Sequence, residues 1–316
     1  MSLAFLFPGQ GSQSVGMGKE LAARYPVARE TFSQADAALG FRLSELCFAG
    51  PEEKLKLTEN TQPAILTVSV AAFRVLREHG IKPAYAAGHS LGEYSAHVAA
   101  GTLGFEDAVR AVRNRGRYMQ EAVPVGEGAM AAILGLPLAE LSKLCADGAQ
   151  AGVCAPANIN SPGQIVISGS ARAVERAAEL ARRHGARRAI LLPVSAPFHC
   201  SLLQPAQEKM AHDLAQLQFH EPQFPVACNV DAQLVRTPEA ARDALIRQVT
   251  GAVRWEACVQ LLIAHGASTF LEVGPGKVLC GLLRQIDRSA TCGNVEDEAS
   301  LHKTIHQLSG SKTGAA

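Results

Sequence analysis

The stretch Gly88-His89-Ser90-Leu91-Gly92-Glu93-Tyr94 contains the pattern G-x-S-x-G. That pattern places a serine on a sharp turn between a strand and a helix, with its Oγ exposed. Glycine on both sides suits such a turn, which needs backbone freedom and little side-chain bulk. The flanks agree: residues 83–87 read as a short buried strand, and residues 93–100 as a helix with an acid in its first turn. Taken alone, the pattern also arises by chance in loops rich in Gly and Ser, so its weight depends on the rest of the chain.

Working outward, the 316 residues are 47% hydrophobic and 19% charged, enough for one large domain or a domain with a smaller one inserted. A net charge of +1 gives no sign of a nucleic-acid binder or an acidic tail. The eight cysteines are scattered and form no C-x-x-C, so neither a zinc site nor a disulfide framework is expected. With no signal peptide visible, that usage suggests a reducing cytoplasm. The longest apolar run, residues 63–73, meets Arg74 and is too short to span a bilayer, so no membrane segment is expected. Residues 309–316 read as a disordered tail.

Residues 3–7 read as a central strand running into Pro8-Gly9-Gln10-Gly11-Ser12-Gln13. This loop lacks both the Lys-Ser/Thr ending of a P-loop and the spacing of a dinucleotide fold. It is either a plain turn or a set of backbone N–H groups aimed at an oxyanion. Helices are expected over 18–25, 27–39, 51–57 and 62–79. Alternation of helix and strand argues for a mostly parallel sheet covered by helices, with ligands outside the carboxyl ends of its strands.

On the helix 105–122, Arg110, Arg113 and Arg117 fall on the solvated side. Arg115 falls in the stripe of Ala108, Ala111, Val112 and Met119. An inward arginine needs an anionic partner or a polar cavity. It is either a structural or snorkelling side chain or a clamp for a substrate carboxylate. After Pro124 the texture changes. Strands at 129–134, 153–159, 164–168 and 188–193, with helices at 138–146 and 171–184, give the order βαββαβ of a ferredoxin-like unit. Residues 125–196 therefore read as a small inserted domain. Its cluster Arg182-Arg183-His184 reads as a solvated face, whereas Arg187-Arg188 could meet a phosphate.

Ala196-Pro197-Phe198-His199-Cys200 marks the return to the large domain. His199 is the candidate base, because a neutral imidazole accepts a hydroxyl proton at neutral pH. His89 is expected in the strand, pointing away from Ser90. His302 and His306 share metal-like spacing without the acid of an H-E-x-x-H motif. Cys200 reads as a packing residue. Further strands are expected at 225–230 and 269–273, with helices at 239–249 and 254–265. Gly274-Pro275-Gly276-Lys277 is not a P-loop.

Taken in order, Pro8-Gly9-Gln10-Gly11-Ser12, Gly88 to Tyr94, Asn114-Arg115-Gly116-Arg117, Ala196 to Cys200 and Glu272-Val273-Gly274-Pro275-Gly276 closely resemble the malonyl-CoA:acyl carrier protein transacylases of bacterial fatty acid synthesis. The resemblance spans roughly residues 2–287. It implies an α/β-hydrolase-like domain (1–124 and 197–308) with the ferredoxin-like insertion (125–196). It implies Ser90 as nucleophile, His199 as base and Arg115 as holder of the malonyl carboxylate. The oxyanion hole falls to the N–H groups of Gln10 and Leu91, and the backbone carbonyl of Gln248 orients His199. Gln62 lies near the site, Phe198 bounds the acyl pocket, and Arg187 and Arg188 meet coenzyme A phosphates. The expected substrate is malonyl-CoA, with no resident cofactor or metal. The expected partner is acyl carrier protein, with no nucleic acid and no membrane, and the chain is expected as a monomer. Competing readings are a serine thioesterase, a non-catalytic docking module, and a related acyltransferase of polyketide synthesis or malonate decarboxylation. A thioesterase would need an acid to orient His199 and no inward Arg115.

Overall fold

In the computed structural model, residues 2–194 and 196–313 are described. Six strands form the main sheet: β1 (Ser2–Phe7), β2 (Tyr85–Gly88), β7 (Val226–Ala227), β8 (Leu234–Val235), β9 (Ala267–Val273) and β10 (Thr291–Val295). A second sheet holds β3 (Gly128–Leu134), β4 (Cys154–Ser161), β5 (Gln164–Ser170) and β6 (Arg188–Leu191). The main sheet has the order β10-β9-β1-β2-β7-β8. It is parallel except for the last pair.

The central strand shows why this sheet is covered on both faces. Phe5 and Phe7 pack into one apolar cluster, while the alternate residues Ala4 and Leu6 pack into another. That is the period-two alternation of a strand buried on both sides. The first cluster draws on the helices Thr58–Glu78, Gly92–Ala99 and Phe105–Glu121. The second draws on Trp255–Ala264 and Val278–Ile286.

The smaller sheet is antiparallel with order β4-β5-β3-β6, and its elements run βαββαβ, as in a ferredoxin-like fold. Ala131, Ile133, Ile165 and Ile167 pack against the helices Leu138–Gly148 and Ala171–Arg183. Met130 and Val166 face the other way and line a cavity shared with Ser90. The same alternation that gives this sheet a core thus supplies a wall of the site.

Several expectations need correction. The cysteines do form one disulfide, Cys280–Cys292, between a helix and β10; twelve residues apart, they matched no framework spacing. The helix read over 51–57 is the short Glu52–Leu55, and a new helix starts at Thr58 and carries Pro63 inside it. The strand read over 225–230 shrinks to Val226–Ala227, because Asn229 turns its amide to the serine elbow. The helix Glu298–Thr313 runs through much of the expected tail; residues 314–316 lie outside the described residues. The helices Leu43–Ala49 and Gln204–Ala215 and strands β8 and β10 were not read at all. Among the described residues no helix is long and apolar enough to cross a membrane, and no cluster of His, Cys, Asp or Glu could hold a metal ion.

Candidate active site

Strand β2 ends at Gly88, and the helix Gly92–Ala99 begins four residues on. Between them Ser90 takes a positive φ of 51°, a strained conformation for a residue with a Cβ. The flanking glycines are steric necessities. A Cβ on Gly88 would lie 1.8 Å from the carbonyl carbon of Gly92, and one on Gly92 would lie 2.0 Å from the Phe7 oxygen. The elbow therefore exists only because strand and helix touch through bare backbone.

Ser90 Oγ lies 2.8 Å from His199 Nε2. His199 also has a positive φ, 60°. Its Nδ1 lies 2.9 Å from the Gln248 carbonyl oxygen and 3.1 Å from that of Gly251. Both carbonyls only accept, so Nδ1 carries the proton and Nε2 is left free to accept from the serine hydroxyl. Among the described residues no carboxylate touches the ring. Burial first, and then the Arg115 charge, hold the imidazole well below its ordinary value, at about 3. The Gln248 carbonyl thus lies where the resemblance put it, and the second carbonyl, Gly251, had no sequence signal.

Arg115 is 1% exposed, as its place in the apolar stripe predicts. Its Nη1 donates to Gln62 Oε1 at 2.7 Å, and its Nη2 to Gln248 Oε1 at 2.9 Å and Ser90 Oγ at 3.1 Å. Among the described residues no carboxylate pairs with it directly, and its Nε has no partner. A buried cation held only by neutral oxygens beside a reactive serine is primed for an anion. Gly116 lets this helix approach its neighbour, since a Cβ there would lie 2.6 Å from the Thr58 oxygen. Of the other arginines, Arg113 departs from the solvated reading: it is half-buried, stacks on Phe41 at 4.5 Å and bonds Asn60.

A cavity of about 140 Å³ joins Ser90, His199, Arg115, Gln62, Gln10 and Leu91, with Phe198 on its wall. Gly9 packs so closely on the elbow that a Cβ would lie 2.4 Å from the His89 oxygen, which sets Gln10 beside it. Among the described residues neither the Gln10 nor the Leu91 N–H has an acceptor within the protein. His89 lies just past the strand. Its Nε2 bonds Asn160 Oδ1 at 2.8 Å and its ring packs near Trp255, so it lines the cavity without reaching Ser90 Oγ. Arg187 and Arg188 border a separate groove of about 580 Å³ with Gln164 and Gln285, and among the described residues no carboxylate lines it. Arg182 is not simply solvated, since it bonds the Ala189 carbonyl. His302 meets Glu298 on its own helix, and the Gly274–Lys277 loop holds the chain's own Glu296 carboxylate through Gly276 N–H and Lys277. Glu272 occupies the N-terminus of the following helix, accepting from the N–H groups of Leu279 and Cys280.

Sequence reasoning missed a buried network beneath the elbow. Asn229 Oδ1 accepts from Ser90 N at 2.7 Å, and its Nδ2 donates to the Gly88 oxygen at 2.8 Å. Glu93, fully buried, accepts through Oε2 from Asn229 N at 2.9 Å and from Gln248 Nε2 at 2.8 Å. Burial pushes its carboxyl up to about 7 against these donors and Arg115, which pull it down. Glu93 had shown only as an acid in a first helical turn, and Asn229 as a polar residue after an apolar run.

The chain is matched over residues 4–311 by the acyl transferase domain family. It is 51% identical over 299 residues to a malonyl CoA-acyl carrier protein transacylase of Escherichia coli O157:H7, covering 94% of this chain and 97% of that one. Its structure is similar to an acyl carrier protein S-malonyltransferase from Vibrio cholerae, with a TM-score of 0.94 and 49% identity over 96% of this chain and 100% of that one. It is equally similar to a malonyl-transacylase solved in complex with its type II PKS acyl-carrier protein, with a TM-score of 0.95 and 46% identity over 97% and 100% of the chains. The chain therefore belongs to the acyl transferase family, among its malonyl CoA-acyl carrier protein transacylases.

Proposed function

We propose that this protein transfers a malonyl group from malonyl-CoA to the phosphopantetheine thiol of an acyl carrier protein, through a malonyl ester on Ser90. The observation that carries the reading is the buried Arg115 guanidinium, 3.1 Å from the Oγ of the same serine that meets His199. An acyl group on Ser90 with a carboxylate at its far end would place that charge against the guanidinium, while an uncharged acyl group would leave the guanidinium with neutral partners only.

In the first half-reaction Ser90 Oγ attacks the thioester carbonyl as its proton passes to His199 Nε2. The N–H groups of Gln10 and Leu91 receive the oxyanion, a contribution worth about 10²–10³ in rate per donor. The carbon–sulfur bond breaks, and His199 returns the proton to the departing coenzyme A thiolate. In the second half-reaction the carrier thiol gives its proton to His199 and its sulfur takes the acyl carbon. The Ser90 oxygen leaves and recovers the proton, giving ping-pong kinetics. A thiolate leaving group is already stable, so a carbonyl pair behind His199 suffices where a peptidase uses a carboxylate. Arg187 and Arg188, on the open groove, are the proposed contacts for coenzyme A phosphates. Residues 125–196 are the proposed inserted unit, with its cavity-facing sheet as a roof over the acyl group.

The carbonyl environment of His199 also weighs against a thioesterase. The test is incubation with malonyl-CoA with and without holo carrier protein. The proposal requires malonyl to accumulate on the carrier; equal release of free malonate in both reactions would replace it with hydrolysis. The relative solved with a type II PKS carrier supports a second reading, service to a polyketide assembly line. Comparing fatty acid and polyketide carrier proteins as acceptors in the same assay separates the two.

A further inference from the structure

Gln248 does more than offer its backbone carbonyl to His199. Its side-chain amide is held between unlike neighbours: Nε2 faces Glu93 Oε2 at 2.8 Å, the Ser90 carbonyl oxygen at 2.9 Å and Asn229 Oδ1 at 3.3 Å, all acceptors. Its Oε1 faces Arg115 Nη2 at 2.9 Å. The amide thus has one allowed orientation, donor toward the carboxylate and acceptor toward the guanidinium. Its dipole lies between a buried anion and a buried cation, where both ends polarise it favourably.

From this geometry we infer that Glu93 is a positioning residue that acts through Gln248 on both Arg115 and His199, so that one buried carboxylate fixes the acyl-selecting clamp and the base together. Arg115 lacks a direct carboxylate partner among the described residues, and Glu93 is the buried anion that meets it across a single amide. The direct contact is left open for the incoming substrate carboxylate. Asn229 extends the same control to the nucleophile, since Glu93 Oε2 accepts from its N–H while its Oδ1 accepts from Ser90 N. Among the described residues Glu93 Oε1 has no partner, and the carboxylate is held by one oxygen through these two donors. Other titratable groups near it are Tyr94 on its own helix, Asp231, Cys228 and Cys258. Of these, Asp231 is engaged by Arg247, so the polar route from Glu93 to the cavity runs through Gln248 and Asn229.

This inference rests on the malonyl-transfer reading, and the experiment keeps the two apart. Intact-mass kinetics would follow acylation of Ser90 by malonyl-CoA and by acetyl-CoA in the parent protein, Glu93→Ala, Glu93→Gln and Gln248→Met. Gln248→Met keeps the backbone carbonyl and removes only the amide bridge. The expected result is a fall of about ten- to a hundredfold in malonylation for Glu93→Ala and Gln248→Met, in line with losing a hydrogen bond to a charged group. Acetylation should fall less, so that the malonyl-to-acetyl ratio drops at least fivefold in both. Glu93→Gln, which keeps an acceptor oxygen for Gln248 Nε2, should recover most of the ratio. A support role for the elbow alone would slow both acyl groups equally. An unchanged ratio in soluble, folded Glu93→Ala or Gln248→Met therefore overturns the inference. If Glu93→Ala does not fold, the ratio in Gln248→Met decides alone. A parent protein that forms no malonyl-serine overturns the malonyl-transfer reading and this inference with it.

Discussion

Replacing Arg115 with alanine removes the buried guanidinium from the cavity. The wild-type guanidinium already gives three hydrogen bonds, to Gln62, Gln248 and Ser90, at 2.7–3.1 Å. A malonyl carboxylate reaching it would form charge-assisted bonds, each worth about 1.5–3 kcal/mol net. Counting a single such bond, since the carboxylate must also be desolvated, gives about a 10- to 150-fold loss. That loss applies to malonyl and not to acetyl, which has no charge to place. The structure therefore predicts that Arg115→Ala lowers kcat/KM for malonyl-CoA by about 10- to 150-fold while acetyl-CoA changes by less than about threefold. The preference collapses by the quotient. The assay is Ser90 acylation followed by rapid quench and intact mass with each thioester in turn. The substitution also strands Gln62 Oε1 and Gln248 Oε1, so melting must be checked beside the kinetics. A folded Arg115→Ala protein that retains the malonyl-over-acetyl preference would refute the clamp.

Three further outcomes follow from the geometry. Gly92→Ala would push a Cβ to 2.0 Å from the Phe7 oxygen, so a loss of about 1–3 kcal/mol or more is expected in urea unfolding, together with slowed acylation; wild-type values for both would show that the elbow does not need that contact. His199 is held neutral by burial and Arg115 down to about pH 3. Measured in Glu93→Gln, where the carboxyl that burial pushes up to about 7 no longer titrates, the acylation rate should therefore stay flat from pH 8 to pH 5, whereas a base with the ordinary imidazole value would lose activity as it protonates below pH 6.5; a fall of about tenfold by pH 5.5 contradicts the burial argument. The double substitution Arg187→Ala with Arg188→Ala should raise KM for malonyl-CoA and weaken its dependence on salt, leaving kcat nearly unchanged. An unaltered KM at low salt would remove these two residues from the coenzyme site.

How far these features could be read from the chain depended on whether they are local. The elbow was legible because a turn that brings strand and helix into backbone contact requires glycine at fixed spacing, here Gly88 and Gly92. Arg115 was legible because helical periodicity alone puts it in an apolar stripe. The βαββαβ order of the small sheet was legible for the same reason, each strand and helix being a local pattern. The network beneath Ser90 was not, because Asn229 and Gln248 reach it from 139 and 158 residues away and neither has a distinctive flank. The Cys280–Cys292 bridge was hidden differently: it depends on a helix and β10 meeting, and β10 itself had gone unread. The cavity wall from Met130 and Val166 was equally out of reach, since it depends on how the two sheets face each other.

The central claim is that Ser90 carries malonyl between two thiols. The direct measurement is the intact mass of the protein after incubation with malonyl-CoA, followed by addition of holo carrier protein. The account predicts a single malonyl adduct on Ser90 that disappears as the carrier becomes malonylated, and no adduct in Ser90→Ala. An adduct that persists in Ser90→Ala, or a wild-type adduct lost to water at the same rate with and without the carrier, would contradict it.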